Sequence, residues 1–287
     1  MSFEKDSEKI SNWEIDEDYE ILKINFKDII PIGKYNLFIK YNGILNDKLR
    51  GFYHSSFTDD KGQIQSIATT QFESTDARRA FPCFDEPDYK AVFSVKLSVE
   101  KNQFCLSNAE IKNQNEDEKN NIKIVEFEDT IPMSTYLVAF VIGPFEASKA
   151  VNVDGINLRI IYPKGKGHLC DFALELGEYA LRYFSNYYKI PYPGDKLDMV
   201  AIPDFAFGAM ENLGCITYRE ALLLVDKKQA TSNELIRIAD VICHEIAHMW
   251  FGDLVTMKWW NGIWLNEAFA TFMATKAVAD YNTDWDR

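Results

Sequence analysis

A pair of histidines near the end of the chain limits its fold and its chemistry more than any other feature. His244 and His248 enclose Glu245 in the pattern His-Glu-x-x-His. Histidines four residues apart lie on one face of a helix, with about 5–6 Å between their Cβ atoms, so both imidazoles can reach one ion. The pattern therefore predicts a helix that binds zinc through both histidines, with Glu245 as the general base.

Helix signals surround this pattern. Residues 231–234 fit a capping box and Gly252 fits a C-cap, so the first helix is predicted over about 232–251. A second helix is predicted over about 263–279, with Glu267 near its start. Four apolar side chains are expected to pack this second helix against the core and to hold Glu267 towards the histidines: Leu265, Phe269, Phe272 and Met273.

The third ligand decides which class of zinc enzyme is indicated. A metzincin site needs a glycine and a third histidine soon after the motif. Phe251 and Leu254 occupy those positions, and no histidine follows His248. A thermolysin-type site of two histidines and one glutamate remains. We therefore expect His244, His248 and Glu267 to bind one Zn²⁺ per chain, and we expect the chemistry to be amide hydrolysis.

Composition limits the partners and the compartment. The net charge of −13 over 287 residues argues against a nucleic-acid partner, because such a partner needs a basic face. The five cysteines are scattered and form no Cys-x-x-Cys pair, so a disulfide framework is not indicated and a reducing compartment fits. The acidic N-terminus is no signal peptide, and no apolar run is long enough for a membrane span. These features predict a cytoplasmic protein and leave its oligomeric state open.

Two regions of different character follow each other along the chain, which predicts an α+β fold. Alternating or continuous apolar runs predict a mostly antiparallel β region: 35–41, 92–99, 122–127, 136–142 and 156–162. The polar stretch 113–121 is interpreted as a hairpin tip or loop. A helix over 172–187 and strands over 197–202 and 215–224 then precede the metal helix. We place the domain boundary near Pro163, which divides the chain into residues 1–163 and 164–287.

A second stretch indicates how a substrate could be held. Gly208-Ala209-Met210-Glu211-Asn212 lies between two predicted strands. Gly208 and Ala209 lack bulk, so a peptide backbone could approach closely there. Glu211 could pair with a cationic group. By itself, the same stretch is also typical of an ordinary turn between strands.

Three linked stretches together resemble the zinc aminopeptidase family of aminopeptidase N and puromycin-sensitive aminopeptidase. They are the Gly-Ala-Met-Glu-Asn stretch, the His-Glu-x-x-His motif followed by Trp-Leu-Asn-Glu at 264–267, and QFESTDARRAFPCFDEP at 71–87. The resemblance runs from about Gly33 to the end of the chain. It implies a saddle-like antiparallel β domain followed by a thermolysin-like metallopeptidase domain.

The resemblance also implies an aminopeptidase acting on peptides with a free N-terminus. Glu211 matches the glutamate that binds the substrate's α-amino group, and Glu73 matches a β-domain position that helps to hold it. The full set of matching site residues comprises the zinc ligands His244, His248 and Glu267, the general base Glu245, and the substrate-binding residues Glu73, Gly208, Ala209, Met210 and Glu211.

Segments of the family that the chain lacks keep other functions open. The family's β domain begins before the segment matching Met1, and its catalytic domain continues past Arg287 with a tyrosine that stabilises the tetrahedral intermediate. We therefore expect a fragment whose first domain lacks its first strands and whose second is truncated. A catalytically silent zinc- or peptide-binding module is the main alternative. An epoxide hydrolase resembling leukotriene hydrolase is less favoured, because the stretch around Glu73 resembles the general aminopeptidases.

Overall fold

A computed structural model of the chain describes residues 9–59 and 61–285, so residues 1–8 of the predicted first domain lie outside it. The first part is built from antiparallel strand pairs, and the second combines a mixed sheet with three α-helices in the described residues. The predicted α+β class is confirmed. No helix in the described ranges has the length and apolar character needed to cross a membrane.

The described residues of the first part form three antiparallel sheets. Their strands are β1 (Ile10–Asp16), β2 (Ile21–Phe26), β3 (Gly51–Thr58), β4 (Ile64–Gln71), β5 (Lys96–Glu100), β6 (Phe104–Leu106), β7 (Ile111–Asp117), β8 (Ile122–Phe127) and β9 (Val141–Gly143). β1 and β2 form a hairpin, β3-β4-β9-β6 form one sheet, and β5-β8-β7 form another. The predicted antiparallel character of this region is confirmed.

The second part is organised around a mixed sheet in the order β10-β12-β13-β15-β14, with β11 paired to β12. These strands are β10 (Phe145–Ala147), β11 (Val151–Val153), β12 (Ile156–Pro163), β13 (Lys196–Ile202), β14 (Ala209–Met210) and β15 (Cys215–Arg219). β12, β13 and β15 are parallel. Parallel neighbours need a long crossover, and helix α1 (Asp171–Tyr188) provides it between β12 and β13.

Two further helices carry the candidate metal ligands. Helix α2 (Ser232–His248) begins with the predicted capping box: the Thr231 hydroxyl accepts from the Glu234 backbone N–H, and the Glu234 carboxylate accepts from the Thr231 N–H. Helix α3 (Ile263–Tyr281) packs against α2, which also contacts α1. The capping box and both helices are confirmed, although α2 ends three residues earlier than predicted and Met249 is its C-cap.

Two predicted strands are wrong. Residues 35–41 form no strand, because the stretch makes only an isolated bridge at Lys40 and no described strand pairs along it, and its apolar side chains other than Ile39 are exposed. The run 136–142 contains a 3-10 turn over Thr135–Leu137, and only its end belongs to β9. Asn108 explains this second failure: its amide donates to the Leu137 carbonyl at 2.7 Å and accepts from the Ala139 N–H at 2.9 Å. These side-chain bonds replace the ladder bonds that a strand would make.

Three other predictions need correction. Residues 113–117 belong to β7, because backbone pairing with β8 does not require apolar side chains. Strand β15 ends at Arg219, and a 3-10 turn follows it. Leu265 and Phe272 are 53% and 61% exposed, so they do not pack α3 against the core. The residues of α3 that are buried are Asn266, Ala270, Met273, Ala274, Ala277 and Val278.

The division of the chain at residue 163 stays a prediction. The sheet that contains β13 also includes β10, β11 and β12, all of which precede or reach Pro163. The hydrophobic core is likewise continuous across this point, because Leu158 and Ile160 of β12 belong to the same cluster as Leu106 and Phe184. The two regions are therefore tightly joined through one core.

A buried ion-pair network stabilises the mixed sheet. The Asp198 side chain on β13 is fully buried and accepts from Arg159 Nε at 2.7 Å and Nη2 at 2.9 Å. Lys196 Nζ lies 3.0 Å from the same carboxylate and donates to the Gly214 carbonyl at 2.6 Å. Burial alone would raise the pKa of Asp198, but Lys196 and Arg159 outweigh it and the pKa is lowered.

We expect Asp198→Asn to lower the free energy of unfolding by about 3–5 kcal/mol at neutral pH, because it leaves the buried Lys196 and the half-buried Arg159 without their counter-charge. A lowered folded-state pKa contributes stability above the unfolded value of about 3.9, and this contribution disappears as the pH falls through the folded value. The difference between wild type and variant should therefore shrink in acid. Urea unfolding across the acidic and neutral range measures it.

The matched control is Glu126→Gln, which breaks the exposed pair with Lys96 at 3.1 Å. An exposed pair contributes about 0–1 kcal/mol, so this variant should unfold almost like the wild type. Equal effects of the two substitutions would contradict the assigned role of the Asp198 network.

Candidate metal centre

Helices α2 and α3 bring three predicted ligands together. His244 and His248 lie one turn apart on α2, and their Nε2 atoms are 2.9 Å apart. Glu267 lies in the first turns of α3, with Oε2 3.2 Å from His244 Nε2 and Oε1 3.6 Å from His248 Nε2. One ligand atom from each residue lies within 4.8 Å of the others.

The donor chemistry of these residues fits zinc. His248 Nδ1 lies 2.9 Å from the Phe251 carbonyl oxygen. A carbonyl only accepts, so Nδ1 carries a proton, and Nε2, which faces His244 and Glu267, is the nitrogen that can bind a metal. Zinc–ligand bonds of about 2.0–2.1 Å at a tetrahedral centre separate the ligand atoms by about 3.3 Å. The observed separations of 2.9, 3.2 and 3.6 Å are close to this value.

The electrostatics of the site favour a cation at the same point. Burial opposes a charge on His248, but Glu211, Glu267 and Glu245 outweigh it and raise the pKa of His248 to about 10. Burial alone would raise the pKa of Glu267, whereas its hydrogen bonds to the two histidines hold it well below its usual range. The surrounding carboxylates therefore stabilise positive charge where the three ligand atoms converge.

A cavity of about 540 Å³ opens onto the three ligands. Besides Glu267 and the two histidines, the sequence predicts six further site residues. Five of these six line the cavity: Glu73, Gly208, Ala209, Glu211 and Glu245. Met210 is the exception. Its side chain is 1% exposed, and its sulfur accepts from Gln71 Nε2 at 3.3 Å. Alternation along β14 directs Ala209 to the cavity and Met210 to the core.

Glu73 and Glu211 form a second cluster next to the first. Oxygens of Glu73, Glu211 and Glu267 all lie within 4.8 Å of one another. Glu211 is 3% exposed, and its Oε1 has no hydrogen-bond partner in the described part of the chain. Burial, together with the charges of Glu211 and Glu267, raises the pKa of Glu73 to about 8. His248 offsets only part of this negative charge, so the cluster would favour a cationic ligand.

Glu245 on α2 faces the same cavity as the two clusters. It is 6% exposed, and its Oε2 has no hydrogen-bond partner among the residues described. Burial raises the pKa of Glu245 well above its ordinary value, and nearby carboxylates, Glu211 among them, add to this effect, whereas His248 opposes it. Its free oxygen is therefore available to a proton or a water molecule in the cavity.

The turn that follows α2 is a part of the site that sequence reasoning missed. It supplies the Phe251 carbonyl that orients His248. Gly252 has a φ of +149°, and a Cβ there would lie 3.1 Å from the His248 carbonyl oxygen and 3.2 Å from its Nδ1. A glycine is therefore required for the close approach. Gly252 was the sequence signal for this turn, but a glycine after a helix is also typical of a C-cap, and that interpretation did not indicate a role in orienting His248.

Comparison with known proteins identifies two matching sequence families. The peptidase M1 N-terminal domain matches residues 2–137, and the peptidase family M1 domain matches residues 172–287. Aminopeptidase M1-A of Oryza sativa subsp. japonica is 46% identical over 93% of this chain and 30% of its own length. The puromycin-sensitive aminopeptidase of Caenorhabditis elegans is 43% identical over 93% of this chain and 28% of its own. The chain thus spans about 30% of the length of these curated relatives.

We expect the purified chain to hold about one zinc ion, and we expect His248→Ala to lose most of it, because two ligands seldom suffice for a zinc site. Metal analysis of the folded, dialysed protein measures the stoichiometry. His168→Ala is the control, since His168 is exposed and distant in sequence from the ligands. Zinc retained undiminished by His248→Ala would contradict the ligand assignment.

Proposed function

The chain belongs to peptidase family M1, and from this premise we propose that it carries the metal centre and the amine-binding site of a zinc-dependent metalloaminopeptidase. This activity would remove N-terminal residues from peptides with a free N-terminus. The observation that carries the proposal is that Glu267 belongs to both carboxylate-containing clusters, the one with His244 and His248 and the one with Glu73 and Glu211.

This shared residue explains why the first peptide bond would be selected. In an amino acid the nitrogen and the carbonyl carbon are about 2.5 Å apart, while the next residue lies about 3.8 Å further along the chain. An ammonium group held by Glu73 and Glu211 would therefore leave only the first carbonyl within reach of the metal ligands. Two adjacent carboxylates, one buried and one half-buried, favour one cation between them. An acetylated N-terminus offers no charge and would leave both unpaired.

Each remaining residue has a definite task in this proposal. When bound by His244, His248 and Glu267, zinc would lower the pKa of a water molecule and polarise the scissile carbonyl. Glu245 takes a proton from the attacking water and passes it to the leaving amine. Strand β14 ends its sheet, so the edge containing Ala209 is open to an extended peptide. Gly208, which precedes it, adds no side chain to this approach.

The proposal also includes a cytoplasmic location and one zinc ion per chain. The five cysteines are all free thiols, as a reducing compartment allows. The charge of −13 makes nucleic acid an unsuitable partner.

The main alternative, a module that binds zinc or peptide without turnover, is excluded if the zinc-loaded chain hydrolyses an aminoacyl fluorogenic amide.

We expect Glu211→Gln to reduce kcat/KM for substrates with a free amine by at least about 30-fold, since losing one partner of a buried charge pair costs about 2 kcal/mol or more. The variant should retain its zinc, because Glu211 is not a member of the histidine cluster. Parallel assays on free and acetylated forms of one peptide amide measure the preference for the amine.

Glu178→Gln serves as the matched control, because Glu178 lies on α1 and makes only an exposed pair with Arg182 at 3.2 Å. It should leave kcat/KM unchanged. If wild type cleaved the free and acetylated peptides equally well, Glu211 would have no part in amine binding.

We expect Glu245→Gln to lower kcat by about 10²–10⁴-fold, the contribution typical of a positioned general base. Its KM and its zinc content should stay close to the wild-type values, because the amide occupies the same space and Glu245 is not a ligand. Steady-state kinetics and metal analysis on one preparation separate the two effects. A large rise in KM with unchanged kcat would assign Glu245 to substrate binding.

A further inference from the structure

The stretch that follows Glu73 forms a loop whose downstream end has no role in the proposed function. Bonds within this loop close it on itself, and a bond from Ser134 anchors it to the rest of the first part. The Arg78 backbone N–H and Nε donate to Asp85 Oδ2 at 3.1 and 2.8 Å. Ser134 Oγ donates to the Pro87 carbonyl at 2.6 Å. The loop is therefore a fixed platform where it reaches Lys90.

Lys90 extends from this platform to the turn after the metal helix. Its Nζ donates to the Asp253 carbonyl at 2.8 Å and to the Leu254 carbonyl at 3.1 Å. Lys90 is partly buried, and hydrogen bonds from a charged donor are about twice as strong as neutral ones. Tyr136, also from the first part, donates to the preceding carbonyl in the turn, that of Gly252, at 3.3 Å.

The carbonyls that Lys90 holds belong to the turn that orients a metal ligand. The Asp253 N–H donates to the His248 carbonyl at 3.0 Å, and the Leu254 N–H donates to the Met249 carbonyl at 3.2 Å. Within the same turn, the Phe251 carbonyl accepts from His248 Nδ1. A displacement of this turn would move the Phe251 carbonyl and release the orientation of the imidazole.

We propose that Lys90 is a positioning residue for the metal centre. By holding two carbonyls of the turn, it keeps the Phe251 carbonyl against His248 Nδ1 and so keeps His248 Nε2 directed at the cation. This inference rests on the proposed zinc site, and it gives the loop downstream of Glu73 a task in metal binding. Groups that orient a ligating histidine contribute substantially to metal affinity.

The test compares Lys90→Met with Lys90→Arg and with a matched control. Lys123 is also partly buried and also donates to a backbone carbonyl, that of Gln103 at 2.6 Å, so Lys123→Met loses a similar bond at another place. We expect Lys90→Met to weaken zinc binding about tenfold, the lower end of the loss typical of outer-shell changes. Lys90→Arg should recover most of the affinity, and Lys123→Met should match wild type. Competition with a chromophoric chelator measures the dissociation constants.

Cobalt provides a readout of geometry that loss of stability alone would not change. The visible absorption bands of Co²⁺ depend on the arrangement of its ligands, so Lys90→Met should shift them relative to wild type and to Lys123→Met. Zinc affinity and cobalt bands unchanged in Lys90→Met, with tight binding by wild type, would overturn this inference and leave the proposed function intact. A wild-type chain without a tight zinc site would overturn both.

If Lys90→Met does not fold, Tyr136→Phe tests instead whether the contacts to this turn support metal binding. It removes one hydroxyl bond to the same turn and retains the buried ring. The expected result is a smaller loss of zinc affinity and a cobalt shift in the same direction. Wild-type values for both measurements would overturn the proposal.

Discussion

Buried negative charge is the constraint on which the site depends. Glu73, Glu211, Glu245 and Glu267 face one cavity, and Asp253 is 1% exposed behind it. Burying an ionised carboxylate without a partner is so unfavourable that the group normally takes up a proton instead. The raised pKa values of Glu73, Glu245 and Asp253 express this directly. The arrangement is compatible with charged carboxylates only if cations enter, and a metal ion and a substrate ammonium are the two that the geometry fits.

The packing of two helices sets where those cations would be. Half of the buried residues of α3 are alanines, so α3 can lie close to α2 and Glu267 can reach both histidines. Because Glu267 also lies within 4.8 Å of Glu73 and Glu211, the same packing determines the distance from metal centre to amine site. Specificity for the first peptide bond would thus follow from helix packing as much as from the carboxylates themselves.

Local patterns were predictable from the sequence, whereas backbone contacts between segments far apart in the chain were not. The histidine spacing and the capping box at Thr231 depend on residues a few positions apart, and both are found in the structure as expected. The strand predicted over 136–142 failed because Asn108, far away in sequence, bonds to that backbone. For α3 the apolar pattern was misleading, because this helix is apolar on nearly all sides, and Leu265 and Phe272, expected in the core, face outwards. The contact from Lys90 to the turn after α2 spans more than 160 positions, and no pattern within either segment indicates it.

One segment of the first part reaches both sides of the metal helix. At its start Glu73 enters the cavity and joins the cluster that would hold the amine. At its end Lys90 holds the turn behind His248. Between them, the Arg78–Asp85 pair closes the segment on itself and links its two halves. Substrate binding and metal orientation would consequently respond together to any movement of the first part relative to α2. An endopeptidase has no need for such coupling, whereas an enzyme that measures one residue from a free amine depends on a constant distance between amine site and metal.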